Sequence, residues 1–171
     1  MFELDRLLRE NIKKLTPYSS ARDEYQGSEA IFLDANENPY NTPYNRYPDP
    51  YHHQLKKEIA QIKQIEPEKI FLGNGSDEAI DLIIRAFCEP ALDNIITIDP
   101  TYGMYQVAAA INNVSVKKVP LTPDFDLQVD EILAQADQNS RVIILCSPNN
   151  PTSNTFKHED MERIIREFDG I

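Results

Sequence analysis

The chain has 171 residues, of which 41% are hydrophobic and 9% aromatic, enough for one ordinary domain with a core of its own. Its formal charge is −11, from 28 acidic against 17 basic residues, and no basic cluster exceeds the pairs Lys13-Lys14, Lys56-Lys57 and Lys117-Lys118, so nucleic acid and anionic membrane are poor partners. No apolar run approaches the roughly 20 residues that span a bilayer, residues 1–10 lack the apolar centre of a signal peptide, and Cys88 and Cys146 are too few for a disulfide framework, which together predict a cytoplasmic protein.

Residues 3–15 place Leu4, Leu7, Leu8, Ile12 and Leu15 in a stripe opposite charged positions, the pattern of one amphipathic helix. Residues 16–50 hold five of the 12 prolines and little periodicity. They read as an extended arm broken by a short strand at 30–33. Leu55, Ile59 and Ile62 mark a second amphipathic helix. From there strand and helix alternate. Strands are expected at 69–72, 95–98, 114–119 and 142–145. Helices are expected after the turn Gly73-Asn74-Gly75-Ser76, where Ile80, Ile83, Ile84 and Phe87 share a face, and then at 102–111, 129–136 and 159–168. This alternation predicts an α/β fold, a largely parallel sheet with helices on both faces. After residue 168 another strand is due, so the sheet is expected to be incomplete at the C-terminus.

Three of the strand ends carry candidate chemistry. At Gly73-Asn74-Gly75-Ser76 a helix start follows a glycine turn, so unpaired backbone N–H groups there can face an anion. The plainer reading makes Ser76 an N-cap, with Asp77 and Glu78 favouring the positive helix end. Those carboxylates oppose a phosphate unless they turn away from it. Tyr102 follows the second strand and could cover a flat ligand, while Tyr105, three residues on, suits the core. After the last strand, Pro148 and Pro151 forbid a continuing central strand. Asn149 and Asn150 then stand at the same edge, either as amide donors or in a simple Asx-turn. Together the three ends suggest a flat, phosphorylated ligand. His52 and His53 read as solvated surface, and Cys146 as a packed thiol.

These motifs resemble those of the histidinol-phosphate aminotransferases, pyridoxal-phosphate (PLP) enzymes of fold type I. The likeness runs from "LTPYSSAR" (15–22) through "LDANENP" (33–39), "NRYPDP" (45–50), "GNGSDEAIDLIIRAFCEP" (73–90), "PTYGMY" (100–105) and "CSPNNPT" (146–152). It implies that residues 46–171 begin the PLP-binding large domain. Residues 1–45 would be a helix and arm belonging to the small domain and dimer contact. It further implies that the backbone at Gly75, Ser76 and Asp77 holds the cofactor phosphate, that Tyr102 stacks on the pyridine ring, and that Asn150 bonds its phenolic oxygen. Tyr47 would reach the phosphate in the other subunit of a homodimer, and Tyr18 would lie on the substrate side.

The implied reaction passes an amino group between histidinol phosphate and 2-oxoglutarate, giving imidazole-acetol phosphate and glutamate in histidine biosynthesis. Related alternatives are threonine-phosphate decarboxylase and aromatic aminotransferase. An alternative of another class is a non-catalytic module that binds phosphorylated ligands. The Schiff-base lysine and the substrate-gripping arginines of the family fall beyond residue 171, so no catalytic residue is expected within the chain and the chain alone is expected to be inactive. The family usually carries Gly after Asn-Pro-Thr, where Ser153 stands here. If that position needs a positive φ, Ser costs about 1 kcal/mol.

Overall fold

The apolar runs near residues 95, 117 and 142 pair as one fully parallel sheet in the computed structural model, which describes residues 3–25, 27, 31–40 and 42–171. In chain order the elements are a 3₁₀ turn (Leu4–Arg6), α1 (Glu10–Lys13), α2 (Ala21–Glu24), α3 (His53–Lys63), a 3₁₀ turn (Pro67–Lys69), α4 (Ser76–Phe87), β1 (Asn94–Asp99), α5 (Met104–Ile111), β2 (Ser115–Pro120), α6 (Val129–Ala134), β3 (Ser140–Ile144) and α7 (His158–Glu167). They form two compact units, one of Met1–Leu15 with Asn74–Ile171, the other of Thr16–Gly73.

In the first unit the strand order is β2-β1-β3. The central strand, β1, is buried on both faces, and its alternation divides the core in two. Ile95 packs with Ile84, Cys88, Ala108, Ala109 and Val142, the layer supplied by α4 and α5. Ile96 and Ile98 pack with Val119, Val129, Ile132 and Ile164, the layer of α6 and α7. Helices therefore cover both faces, as the alternation of elements predicts. Burial pushes the Cys88 thiol up to about 12, which keeps it a protonated packing group. On the edge of β3 away from β1, Ile171 N–H donates to Arg141 O and Ile171 O accepts from Ile143 N–H, both at 2.9 Å. This is the bonding of a parallel neighbour, at the place where a further strand is expected.

Three expected elements differ. Residues 3–15 are not one helix but a 3₁₀ turn and the short α1, with Leu7 buried between them. Arg9 explains the break. Its N–H donates to Ala86 O and its guanidinium to Arg85 O and Glu89, satisfying carbonyls at the end of α4 instead of continuing a helix of its own. The strand expected at 69–72 is also absent: Lys69 closes a 3₁₀ turn, Ile70 is extended, and residues 70–72 have no ladder partner among the described residues. For the strand expected at 30–33, Ala30 lies outside the described residues, while 31–33 form no ladder and Ile31 and Leu33 are exposed. The arm instead contains α2, a single helical turn.

In the second unit α3 forms over the expected span, but its buried residue is Ala60, while Leu55 and Ile62 of the expected apolar stripe are exposed. Asp49 accepts from both the N–H and the Nδ1 of His53 at its start.

The division of the core between the two faces of β1 has a measurable consequence. Ile96→Ala should lower the stability of the fold by about 3 kcal/mol in urea unfolding, because Ile96 is fully buried. Ile111→Ala, on an exposed helix position, should change it by less than about 0.5 kcal/mol.

Candidate functional site

From β1 the chain moves to β2 on one side, then crosses back so that β3 lies on the other side of β1. The direction of winding reverses between β1 and β3. In open α/β sheets such a reversal leaves a crevice at the carboxyl ends of the two strands, and ligands bind there. The loops leaving those two ends carry Tyr102 and Asn150.

The two loops are stitched together by Asn149, which is almost wholly buried. Its Nδ2 donates to Pro100 O at 3.0 Å and to Thr152 Oγ1 at 2.7 Å, and its Oδ1 accepts from Thr101 Oγ1 at 2.9 Å. Its backbone closes the loop as well, donating to Asn154 O at 2.8 Å and accepting from Ser153 N–H at 2.7 Å. Ser153 takes φ +63°, the left-handed conformation, so the serine does stand where a glycine would be unstrained. The peptide bonds before Pro100, Pro148 and Pro151 are cis.

With Asn149 turned inward, Asn150 is exposed, and its amide has no hydrogen-bond partner among the described residues. Of the two expected amides only Asn150 is available as a donor; Asn149 is instead a buried tie between two loops, a role the sequence does not indicate. The only local signal is the pair of consecutive Asn between Pro148 and Pro151, of which one can turn inward to find buried partners while its neighbour faces out.

The start of α4 reaches the same edge. Tyr102 donates its hydroxyl to the Asp77 carboxylate, at 3.2 Å to Oδ1 and 3.4 Å to Oδ2. The Tyr102 ring is half-buried and meets the buried Tyr105 edge-on, with centroids 5.6 Å apart and planes at 86°. Burial, followed by the Asp77 hydrogen bond and charge, raises the Tyr102 phenol above its ordinary value, so it remains a neutral donor. Tyr105 is raised as well, chiefly by burial.

The N-cap of α4 is Gly75, not Ser76, which is the first helical residue. Gly75 has φ +79° and ψ −179°, a conformation confined in practice to glycine, and the space a Cβ would fill is empty to 4 Å. The first-turn amides of Ser76 and Asp77 have no carbonyl four residues back in the helix, and no loop carbonyl takes its place among the described residues. Glu78 folds back onto Asn74, accepting from its N–H and from its Nδ2 at 3.2 Å. Both carboxylates of the first turn therefore point to partners of their own, Asp77 to the phenol and Glu78 to Asn74. The donor set suits an anion with a flat ring attached: exposed amides beside a Cβ-free turn, an aromatic face held in place, and an unused amide.

Tyr18 and Tyr47 belong to the other unit. Both are exposed, and the Tyr47 N–H donates to Glu37 at 2.8 Å. Cys146 is half-buried and its thiol donates to Pro148 O at 3.4 Å.

A family model described as aminotransferase class I and II matches residues 23–170. The chain belongs to that family. Histidinol-phosphate aminotransferase of Bacteroides thetaiotaomicron is 58% identical over 100% of this chain and 50% of its own length. The Cytophaga hutchinsonii protein of the same name is 53% identical over 99% of the chain and 50% of its own length. The chain thus spans about half the length of the curated relatives it matches. Among solved aminotransferase structures, the histidinol-phosphate aminotransferase of Sinorhizobium meliloti, in complex with pyridoxal-5'-phosphate, aligns with TM-score 0.67 at 22% identity. That alignment covers 74% of this chain and 35% of that one, and shares the fold. N-succinyldiaminopimelate aminotransferase from Mycobacterium tuberculosis aligns with TM-score 0.65 at 28% identity over 71% of this chain and 34% of that one. No helix among the described residues is long and apolar enough to cross a membrane.

Two substitutions test the architecture of the loop at residues 148–154. Asn149→Ala should cost about 2 kcal/mol in urea unfolding, since it strands the Thr101 hydroxyl and the Pro100 carbonyl. Ser153→Gly should add about 1 kcal/mol by relieving the left-handed conformation.

Proposed function

We propose that this aminotransferase-family chain is the first half of a cytoplasmic histidinol-phosphate transaminase of histidine biosynthesis, dependent on pyridoxal phosphate. It would convert histidinol phosphate and 2-oxoglutarate to imidazole-acetol phosphate and glutamate. The observation that carries the reading is the Tyr102–Asp77 hydrogen bond, which holds an aromatic face beside the first-turn amides of α4. The identity of 58% with a histidinol-phosphate aminotransferase across the whole chain supports the choice of substrate.

When bound, the cofactor supplies the electron sink that carries the amino group between the two substrates. The amides of Gly75, Ser76 and Asp77 hold its phosphate at the positive end of α4. Tyr102 would lie along the pyridine ring, its end anchored by Asp77 and its plane oriented by Tyr105. Asn150 donates its unused amide to the phenolic oxygen, where a neutral donor needs no tuning. Tyr47 extends from the arm to the phosphate held by the other subunit of a homodimer, and Tyr18 borders the substrate. Residues 46–171 act as the first part of the cofactor-binding domain, and residues 1–45 contribute to the small domain and the dimer contact. The covalent lysine and the arginines that choose the substrate come from the remaining length seen in the relatives.

In an assay of the full-length polypeptide loaded with pyridoxal phosphate, glutamate should form from histidinol phosphate and 2-oxoglutarate, and the 171-residue chain alone should form none. Preference for an aromatic amino acid, or loss of the carboxyl group from threonine phosphate, would contradict the substrate. A full-length protein that binds no pyridoxal phosphate would contradict the class.

A further inference from the structure

Between α2 and α3 the arm has no helix or ladder among the described residues, yet one of its carboxylates is almost completely covered. Glu37 has 4% of its side chain exposed and gathers four donors. Its Oε1 accepts from Arg22 at 3.0 Å and from the Tyr47 backbone N–H at 2.8 Å. Its Oε2 accepts from Arg46 at 2.6 Å and from the second Arg22 nitrogen at 3.3 Å. The same Arg22 nitrogen, Nη2, also donates to Asp34 at 2.9 Å, and the guanidinium lies 4.8 Å over the Phe32 ring. Hydrogen bonds from Arg22 first, then from Arg46 and the Tyr47 amide, lower Glu37 to about 2, so it stays ionised throughout the neutral range.

The eight residues between Glu37 and Arg46 thus leave and return to one anchored carboxylate. A second bond at the base, Asn45 Nδ2 to Asn38 O at 3.2 Å, closes the same loop. The loop is tied at the backbone of Tyr47 while the Tyr47 ring, in a residue 62% exposed, projects free of it. A long side chain that must touch a distant group is useful only if its Cα is fixed, and here no sheet or helix fixes it.

We propose that Glu37 is a positioning residue for Tyr47, its carboxylate setting the backbone from which the ring reaches the cofactor phosphate of the neighbouring subunit. The inference rests on the reading above in which Tyr47 makes that contact. Arg22 and Arg46 serve it by neutralising a carboxylate that could not otherwise be covered.

The test is equilibrium dialysis of pyridoxal phosphate against the full-length homodimer and its variants. Tyr47→Phe should weaken cofactor binding about tenfold, the loss expected of a hydroxyl removed from an anion. Glu37→Gln should weaken it by a similar factor, and the double variant by no more than about twofold beyond either alone, because both act through one contact. Should Glu37→Gln fail to fold, Glu37→Asp is read in the same cycle: it keeps a charge for the arginines but draws back from the Tyr47 amide. Losses that multiply in the double variant would overturn the inference. So would a Glu37 variant that melts earlier yet, once folded, binds pyridoxal phosphate as the wild type does. Wild-type binding by Tyr47→Phe would instead sink the role of Tyr47 itself, and this inference with it.

Discussion

One buried amide holds the candidate site in shape. Asn149 spends its donors and acceptor on Pro100, Thr101 and Thr152, joining the loops that leave two neighbouring strands at the point where the winding reverses. The prolines on either side end the strand, and the serine at φ +63° turns the chain back so that its N–H meets the Asn149 carbonyl. Neighbouring residues in such a loop face opposite ways. Because Asn149 must face inward, Asn150 presents its amide outward.

The electrostatics of the edge follow from where charge is parked. A chain of net charge −11, with two carboxylates in the first turn of α4, is an unpromising host for an anion. Each carboxylate is nonetheless engaged elsewhere, Asp77 by the Tyr102 phenol and Glu78 by Asn74, so neither lies over the free amides as an unpartnered charge. The bond to Asp77 has a second effect, since it anchors the far end of the Tyr102 ring while the edge-to-face contact with Tyr105 orients its plane. The same economy recurs in the arm, where two arginines allow a carboxylate to be buried against the backbone of Tyr47.

Much of this was legible in the sequence, and the exceptions share a cause. The strands at 95–98, 114–119 and 142–145 and the helices from α3 onward lie within a few residues of their expected positions, because one-sided burial writes a period into a helix and burial on both faces writes an unbroken apolar run into a central strand. The left-handed position of Ser153 could be anticipated from the motif around it. A strand, by contrast, belongs to two segments at once. Residues 69–72 have the composition of one but no partner among the described residues. Residues 3–15 have the stripe of a helix, yet Arg9 gains more from the open carbonyls of α4 than from another turn. Likewise nothing local marks Asn149 over Asn150, or Glu37 over the other carboxylates, since their partners lie far along the chain or require the loop to be closed first.

Convergence of three chain segments on one planar, anionic ligand is best examined in a crystal structure of the full-length polypeptide with pyridoxal phosphate. The phosphate should lie within hydrogen-bond distance of the amides of Gly75, Ser76 and Asp77, the ring against Tyr102, and the Asn150 amide on the phenolic oxygen. A cofactor bound away from the ends of β1 and β3, or an Asn150 side chain turned from it, would rule out this convergence.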